Sequence, residues 1–329
     1  MRILKQLEAN RWPVLVVVLL IYWAIGFYPY QLPPYHNGAV RAADQTLRFD
    51  DPGILYSREP PVWLPTAIGS SAFRVTLEVR SARAQESRWA QIFTLAENAK
   101  HTNLSIGQDR NDLIVRLRSP ETNLAGKPLY KIKEVFAQPG WHRIELNVVP
   151  RLLIITVDGR EVLRQMLPPE PLSTWSHEYQ LALGNKLGFN RPWLGELRQA
   201  VVQVAGRDYD YTLPGALEIP ASYPLQLAYR YVQWIPFSNI SEGSSAIVDK
   251  VVNLFGFIPF GMILVIFMHR CRALVIFAGM CCAMSLSIEV GQLFIATRTP
   301  SIDDLLLNTL GGTLGAWLGL SARARSGYG

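Results

Sequence analysis

Cysteine and charge are both scarce in this chain of 329 residues. Its three cysteines are Cys271, Cys281 and Cys282, so residues 31–246 contain none. That long segment therefore needs no disulfide bonds and has to be held together by a hydrophobic core. Only 18% of the residues are charged, whereas 49% are hydrophobic. This composition excludes a disordered chain, and it differs from that of an ordinary soluble enzyme, in which about a quarter of the residues are charged.

Charged residues are almost absent from four apolar stretches. These stretches are Trp12–Tyr30, Val251–Met268, Ala273–Ile295 and Leu305–Leu320. The third contains a single charge, Glu289, and the last is the shortest and contains Asn308 and four glycines. A helix needs about 20 apolar residues to cross the hydrocarbon core of a membrane. The sequence therefore predicts four membrane helices, one N-terminal and three C-terminal.

The first apolar stretch has two interpretations. It ends on Phe27-Tyr28-Pro29-Tyr30, which is bulky and aromatic, whereas a signal-peptide cleavage site has small residues. Aromatic residues of this kind are typical of the membrane interface. We therefore expect a retained anchor, with a cleaved signal peptide as the alternative. Both interpretations place the following domain outside the cytoplasm.

The positions of the basic residues near the helix ends predict the orientation. Three places carry them: before the first helix, in the turn between the second and third, and after the fourth. The residues are Arg2, Lys5, Arg11, Arg270, Arg272, Arg323 and Arg325. Because basic residues favour the cytoplasmic side, both termini are expected there, with residues 31–246 and the 296–304 loop outside a bacterial inner membrane.

The net charge has the same origin. The predicted cytoplasmic segments hold seven basic residues and one acidic residue, Glu8, which equals the net charge of +6 of the whole chain. The basic isoelectric point near 9.3 therefore reflects membrane topology. A nucleic-acid-binding protein would need its basic residues clustered along one face, so no nucleic-acid partner is expected.

Residues 50–211 alternate between apolar and polar with a period of two. Phe73, Val75, Leu77 and Val79 alternate with polar residues, and Asp158-Gly159 is a two-residue hairpin signal. Short strands at this spacing, without intervening amphipathic helices, predict an antiparallel β-sandwich.

The order of these strands resembles a known family. FRVTLEV, GWHRIEL, LLIITVDGREV and WLGELRQAVV follow one another as in the concanavalin A-like, laminin-G-like jelly rolls. The resemblance implies glycan binding, for which the candidates are Trp89, Trp175, Asn185, Asn190 and Trp193. The alternative is that these tryptophans fill the core. The Gln108–Asp112 segment has oxygen ligands for calcium, but a polar hairpin tip explains it as well, and no metal is assigned.

A second resemblance covers about 80 residues near the C-terminus. VDKVVNLFGFIPFG, SIEVGQLF and RTPSIDDLLLNTLGGTLG are similar to the VanZ-like membrane proteins. The matching residues are Asp249, Lys250, Asn253, Glu289, Gln292, Arg298, Asp303, Asp304, Asn308, Gly311 and Gly312. At Asn253 many relatives have His, which counts against a proton relay at this position. The family is associated with low-level glycopeptide (teicoplanin) resistance, and no biochemical activity follows from the resemblance.

The predicted topology places these polar residues in the outer leaflet. Glu289 is costly inside a membrane, so it predicts a functional site, with Arg298 or Lys250 as its partner. The alternative is a purely structural network that locks three helices together. Gly311, Gly315 and Gly319 repeat at the spacing that allows close contact between helices.

These features divide the chain into four parts. Residues 1–30 are the cytoplasmic N-terminus and first helix, 31–211 the β-sandwich, 212–246 an aromatic linker that lies at the membrane interface or packs on the sandwich, and 247–329 the VanZ-like unit. A glycan-binding envelope membrane protein is the preferred hypothesis. The alternatives are a membrane enzyme acting on a lipid-linked or cell-wall precursor, and a structural subunit of a membrane assembly. The expected partners are membrane lipids, a glycan or cell-wall ligand and a membrane protein, and no cofactor is expected.

Overall fold

The computed structural model describes residues 11–28, 36–82, 86–98, 100–188, 191–221, 231–238, 244–268, 270–295 and 298–325. The chain divides into two compact units. Residues 33–230 form one, hereafter the β-unit, and residues 1–32 with 231–329 form the other, hereafter the membrane unit. The predicted linker 212–246 is therefore divided between the two units.

Six helices and fourteen strands are present among the described residues. The helices are α1 (Arg11–Phe27), α2 (Leu64–Ser70), α3 (Ser244–Gly256), α4 (Ile258–Phe267), α5 (Leu274–Gln292) and α6 (Ile302–Arg325). The strands are β1 (Ala39–Arg41), β2 (Leu47–Phe49), β3 (Leu55–Tyr56), β4 (Phe73–Ser81), β5 (Glu86–Ala96), β6 (Thr102–Arg110), β7 (Asp112–Leu117), β8 (Tyr130–Ile132), β9 (His142–Val149), β10 (Leu152–Val157), β11 (Arg160–Met166), β12 (Gln180–Leu183), β13 (Gly195–Val204) and β14 (Arg207–Asp210).

The β-unit is an antiparallel sandwich of two sheets, which confirms the predicted fold class for this part of the chain. One sheet has the order β1-β2-β13-β4-β9-β10-β11, with β14 also paired to β13. The other has the order β3-β12-β5-β6-β7-β8. The alternating residues Val75, Leu77 and Val79 are fully buried in the shared core, as period-two patterning requires.

The predicted hairpin joins β10 to β11. Asp158 and Gly159 both have positive φ, at 52° and 78°. Such a turn matches the right-handed twist of the flanking strands. The Asp158 carboxylate also accepts hydrogen bonds from the backbone N–H of Arg143 at 2.8 Å and from the His142 ring at 3.0 Å. The hairpin is thereby fixed to the neighbouring strand β9.

Among the described residues of the membrane unit, three apolar helical segments are long enough to cross a membrane. They are Ile247–Phe267, Leu274–Gln292 and Ile302–Arg325. These confirm the three C-terminal helices of the prediction. The apolar part of α1, Trp12–Phe27, is shorter. The predicted count of four spanning helices is thus confirmed for three.

The first of these segments differs from its prediction. It was expected to be one helix over Val251–Met268, but the helix begins at Ser244 and is interrupted at Phe257. Pro259 lies in the first turn of α4. It has no N–H to donate to the carbonyl four residues earlier, and its ring disfavours a continuous helix there. The proline therefore accounts for the break between α3 and α4.

The last helix, α6, is longer than predicted. It was predicted as a membrane helix over Leu305–Leu320, and the polar residues at both of its ends lie beyond that apolar run. Asp303 and Asp304 lie in its first turn, and Arg323 and Arg325 in its last. Acidic residues at the N-terminus and basic residues at the C-terminus stabilise a helix through its dipole.

The membrane unit has two chemically different ends. The polar end comprises Gln233–Ser238, Lys250, Ser285, Glu289, Gln292, Arg298, Ser301–Asp304 and Asn308. The arginine end comprises Arg270, Arg272, Arg323 and Arg325. Arg323 donates to the carbonyl oxygen of Val265 at 2.6 Å, which joins the C-terminal end of α6 to that of α4.

Helix α1 lies beside α5 along most of its length. Trp12 and Leu15 line an apolar cavity with Arg270 and Met280 at the arginine end. At the other end of the helix, the Gln292 side chain donates to the carbonyl oxygen of Gly26 at 2.9 Å. Helix α1 therefore runs from the arginine end to the polar end.

Candidate functional site

Asp303 is the centre of the polar end. Its carboxylate is fully buried and accepts three hydrogen bonds from outside its own helix. Lys250 Nζ lies 2.6 Å and Gln233 Nε2 3.0 Å from Oδ2, while the backbone N–H of Phe237 lies 2.7 Å from Oδ1. One side chain thus joins α3, α6 and the segment Gln233–Ser238. A buried carboxylate needs partners of this kind to remain charged.

Glu289 is also buried, and its main partner is a backbone group. Its Oε2 accepts from the N–H of Ser301 at 2.8 Å. Lys250, one of its two expected partners, pairs instead with Asp303. Arg298, the other expected partner, lies near enough for its charge to act on Glu289, although no ion pair within 4.0 Å joins their described atoms. Glu289 therefore connects α5 to the turn that precedes α6.

The remaining predicted residues occupy different environments. Asp304 is half-buried and hydrogen-bonded to the Asn253 side chain. Asn308 is buried, and its amide donates to Ser285 Oγ at 3.0 Å. Asp249 is exposed on α3, and its charge acts on the Asp304 carboxylate. Both carboxylates of the Asp303-Asp304 pair thus belong to the polar end, and Lys250 of the Asp249-Lys250 pair forms the ion pair with Asp303.

Two buried polar atoms at this end have no hydrogen-bond partner among the described residues. They are Nε of Arg298 and Oδ1 of Asn308. A buried polar group without a partner costs about 1–3 kcal/mol of stability. These two atoms supply one donor and one acceptor that another molecule could satisfy.

Three contributors to the polar end were missed by the sequence analysis: Gln233, Ser285 and Ser301. Ser301 had a recognisable signal, because its hydroxyl accepts from the N–H of Asp303 at 3.1 Å, as an N-cap residue does. The run Ser-Ile-Asp-Asp before an apolar stretch is typical of a helix start. Gln233 and Ser285 had no comparable signal in the sequence.

The glycines of α6 lie where helices meet most closely. A Cβ atom added to Gly311 would collide with the carbonyl oxygen of Leu254, and one added to Gly315 with that of Ile258. At Gly319 the nearest atom would be Val265 Cβ, at 3.2 Å. Gly311 and Gly315 thus allow α6 to contact the backbones of α3 and α4 directly.

The predicted glycan-binding residues are not brought together in the β-unit. Trp175 and Trp193 are only 4% and 0% exposed, and both belong to the hydrophobic core. Their indole N–H groups donate inside the protein, to the Arg118 carbonyl oxygen at 2.8 Å and to Gln108 Oε1 at 3.0 Å. Neither ring face is free to stack on a sugar, so core packing explains both tryptophans.

The other three predicted glycan-binding residues lie in different environments. Trp89 is half-buried, and the Arg116 guanidinium lies 3.5 Å from its ring centroid. Asn185 is fully buried, and its Oδ1 accepts from the backbone N–H groups of Lys186 at 2.8 Å and Arg191 at 3.0 Å. Asn190 lies outside the described residues. Among the candidates that the structure describes, only Trp89 is therefore partly exposed.

The acidic residues at the predicted hairpin tip form ion pairs. Lys131 Nζ lies 2.8 Å from the Asp112 carboxylate and 3.8 Å from that of Asp109. The hydrogen bond from Lys131 holds the pKa of Asp112 below its ordinary value. No group of three or more potential metal-ligating side chains was found among the residues that the structure describes.

Part of the chain is similar to a known family. Residues 215–323 match the VanZ/LLP1 family. No curated protein matches. Among solved structures, the binding domain of botulinum neurotoxin DC in complex with SialylT has 11% identity and a TM-score of 0.36, covering 51% of this chain and 41% of that chain.

Two further solved structures are similar over part of their length. Domains LG4-5 of the mouse laminin alpha1 chain have 17% identity and a TM-score of 0.34, covering 58% of this chain and 47% of that one. The native heptameric SAP-like pentraxin from Limulus polyphemus has 13% identity and a TM-score of 0.33, covering 51% and 73%. The chain spans less than half of the neurotoxin and laminin chains.

Proposed function

We propose that this protein is a multi-pass membrane protein of the bacterial envelope that displays its β-unit outside the cytoplasmic membrane to recognise a glycan. The observation that carries the proposal is the separation of the two ends of the membrane unit. Buried polar side chains gather at one end, and unburied arginines lie at the other. Because basic residues favour the cytoplasm, the arginine end faces inward and the polar end outward.

The chain path supports this orientation. The chain leaves α1 for the β-unit just after Gly26, which accepts a hydrogen bond from Gln292 at the polar end. It returns from the β-unit at Gln233, which is hydrogen-bonded to Asp303 at the same end. Both connections to the β-unit therefore start from the outward side. A helix α1 that crosses the membrane beside α5, as the fourth span, satisfies this path.

A pocket at the polar end is the second part of the proposal. Arg298 and Asn308 each have a buried polar atom with no partner among the described residues. An arginine and an amide near an outer membrane surface suit an anionic headgroup with hydroxyl or amide substituents, such as that of a lipid-linked cell-wall precursor. The VanZ/LLP1 match over residues 215–323 agrees with an envelope role.

An architectural role is the second candidate for the polar end. The Asp303 carboxylate is already occupied by Lys250, Gln233 and the Phe237 N–H, and it joins three segments of chain. This favours a structural function for Asp303 itself. The ligand-binding proposal therefore rests on Arg298 and Asn308 and does not require Asp303 to contact a ligand.

Labelling by a membrane-impermeant maleimide tests the orientation. The native Cys271 lies at the arginine end, and a Ser238→Cys variant adds a thiol at the polar end. In intact cells we expect rapid labelling at position 238, and labelling of Cys271 only after permeabilisation. The reverse pattern would overturn the topology.

A glycan array tests the proposed recognition. Full-length protein in lipid nanodiscs is applied to an array that includes peptidoglycan fragments and envelope polysaccharides. We expect selective binding to a subset of the glycans. Absence of binding to every glycan would overturn the glycan half of the proposal and leave the topology standing.

A further inference from the structure

Helix α1 packs closely on its neighbours in the half of the membrane unit nearer the polar end. The Tyr22 hydroxyl donates to the carbonyl oxygen of Gly256 at 2.8 Å, and the Tyr22 ring centroid lies 4.9 Å from that of Phe260 on α4. Trp23 Nε1 donates to Ser287 Oγ on α5 at 2.8 Å. These contacts hold α1 against α4 and α5 in that half of the unit.

Towards the arginine end, a cavity of about 390 Å³ opens between the same three helices. Its lining is almost entirely apolar and comes from α1, the end of α4, the turn that follows, and α5. The residues are Trp12, Leu15, Leu264, Phe267, Met268, Arg270, Cys271 and Met280. Among these lining residues, Arg270 alone carries a charge. The cavity is therefore an apolar space with one cation beside it.

The cavity reaches from the interior of the helix bundle to its surface. Leu264, one turn before the end of α4, is 1% exposed, whereas Trp12 is 67% exposed. Arg270 is also exposed, in the turn that follows α4. Tryptophan and arginine side chains are typical of the level at which lipid headgroups lie. The cavity thus begins at the headgroup level and extends into the apolar part of the bundle.

An apolar cavity of this size favours an apolar occupant. A cavity of about 150 Å³ lined by apolar side chains already stays free of water and takes up an apolar molecule. Met268 and Met280 have flexible side chains that adapt to the shape of such an occupant. An acyl chain from the surrounding bilayer can enter on the exposed side, at Trp12, and cover the apolar lining.

The charges around the cavity favour one class of headgroup. The arginine end carries Arg270, Arg272, Arg323 and Arg325. All four carboxylates among the described residues of the membrane unit lie at or beside the polar end; they are Asp249, Glu289, Asp303 and Asp304. Basic pockets between membrane helices bind acidic lipid headgroups. A zwitterionic headgroup would bring a further cation to this end, whereas an anionic headgroup brings none.

We propose that this cavity holds one acyl chain of a phospholipid with an anionic headgroup, and that Arg270 binds the phosphate group. The planar guanidinium can donate two N–H groups to the phosphate oxygens, while the chain covers Leu15, Leu264 and Met280. The lipid then joins α1 to the turn between α4 and α5. The inference rests on the proposed membrane position of these helices, and it is independent of glycan recognition and of the pocket at the polar end.

Native mass spectrometry of the delipidated full-length protein in detergent micelles tests the inference. The probes are phosphatidylglycerol and phosphatidylcholine with identical acyl chains, and glycerol 3-phosphate, which has the phosphate group but no acyl chain. We expect one phosphatidylglycerol to bind at least about fivefold more tightly than phosphatidylcholine, because hydrogen bonds between charged groups are the stronger ones. Glycerol 3-phosphate at the same concentration should not displace it.

Two outcomes of this titration would overturn the inference. Equal binding of the two lipids would contradict the assigned headgroup class. Displacement of phosphatidylglycerol by glycerol 3-phosphate would show that the phosphate group binds without its chain, which would contradict the role of the cavity.

An arginine variant tests the headgroup contact. Arg270→Gln should reduce the preference for phosphatidylglycerol to less than about twofold, because the charged donor is lost. Arg325→Gln is the matched control, since Arg325 is exposed at the same end but does not line the cavity. Equal loss of preference in the two variants would assign the selection to the overall positive charge of this end and would overturn the site.

A larger side chain tests the chain-binding part of the site. Met280→Trp should occupy the cavity and weaken the binding of both lipids by about tenfold. Val275→Trp is the control, because Val275 is 76% exposed on the same helix and does not line the cavity. Unchanged lipid binding by the Met280 variant would overturn the cavity as the site. The comparison of the two arginine variants stays decisive even where Met280→Trp disturbs folding.

Failure of this inference can be distinguished from failure of the proposed function. A protein that fractionates with the membranes but shows no lipid preference would overturn the lipid site alone. A protein recovered outside the membrane fraction would overturn the proposed membrane location and this inference with it.

Discussion

Lys250 Nζ lies 2.6 Å from Asp303 Oδ2, with side chains that are only 13% and 0% exposed. The pair joins α3 to the first turn of α6 at the polar end of the membrane unit. Its surroundings provide further hydrogen bonds to the carboxylate, from Gln233 and from the Phe237 N–H. These additional hydrogen bonds to the carboxylate stabilise the ion pair away from water.

Removing the Asp303 charge should destabilise the membrane unit. Asp303→Asn removes the charged partner of the Lys250 ammonium group, and losing one partner of a buried pair costs about 3–5 kcal/mol. We expect a lower thermal midpoint of the full-length protein in detergent micelles. Asp249→Asn is the matched control, because Asp249 is exposed and lies next to Lys250 on α3. Equal midpoints for the two variants would contradict the assigned role of Asp303.

Substitution of Gly315 should separate α6 from α4. Gly315→Ala places a methyl group against the carbonyl oxygen of Ile258, where neither backbone can move independently. Gly279→Ala on α5 is the control, since no heavy atom lies within 4 Å of its added Cβ. We expect only the Gly315 variant to lose its folded, monodisperse state in size-exclusion chromatography. A Gly279 variant that is equally impaired would argue against close packing as the cause.

Glu289 should tolerate loss of its charge better than loss of its oxygen. Glu289→Gln keeps an acceptor for the Ser301 N–H, whereas Glu289→Ala leaves that N–H buried without a partner, at a cost of about 1–3 kcal/mol. Thermal unfolding in micelles measures the difference. A membrane enzyme that uses Glu289 as an acid or base would instead lose its cellular function in the Gln variant although it folds normally.

The stability of the β-unit should depend on pH through Lys186. Burial, and then the charges of Arg116, Arg191 and Lys100, lower its pKa to about 7 in the folded protein, from the ordinary 10.5. The unfolded chain therefore binds more protons between these values, so stability rises as the pH increases from about 7 towards 10.5 and is lowest below about 7.

Comparison with Lys186→Met isolates this effect. The variant should be more stable than the native protein below pH 7, and the difference should shrink as the pH rises to 10. Amide hydrogen exchange of strand β6 in the full-length protein, compared between the two proteins at each pH, measures it. A difference that does not change with pH would contradict the low pKa.

The sandwich could be predicted because its signal is local. Strand β4 alternates buried and polar side chains, and the Asp158-Gly159 turn supplies the positive φ angles that a hairpin needs. The three C-terminal helices could be predicted for the same reason, because the number of consecutive apolar residues is a local property of the sequence. Pro259 also indicates a break at Phe257, but the uninterrupted apolar run led to the prediction of a single helix.

The candidate sites depended on contacts between distant segments. Asp303 was recognised as a site residue, yet its pairing with Lys250, which was an expected partner of Glu289, follows from the approach of α3 to α6. Trp175 and Trp193 are of a residue type that can stack on sugars, and only their burial shows that they fill the core. Composition alone cannot distinguish an aromatic ring on a surface from one inside a sandwich.

The sequence by itself determined the two-part architecture of this protein. Membrane thickness sets the length of an apolar helix, and the pleating of a sheet sets a period of two along each strand. The polar row across the sheet that contains β5, β6 and β7 was decided by the tertiary structure alone. Thr94, Ser105 and Arg116 come from three separate strands, and they lie opposite one another because of the strand register. Register is set by packing over the whole sheet, so no local pattern records it.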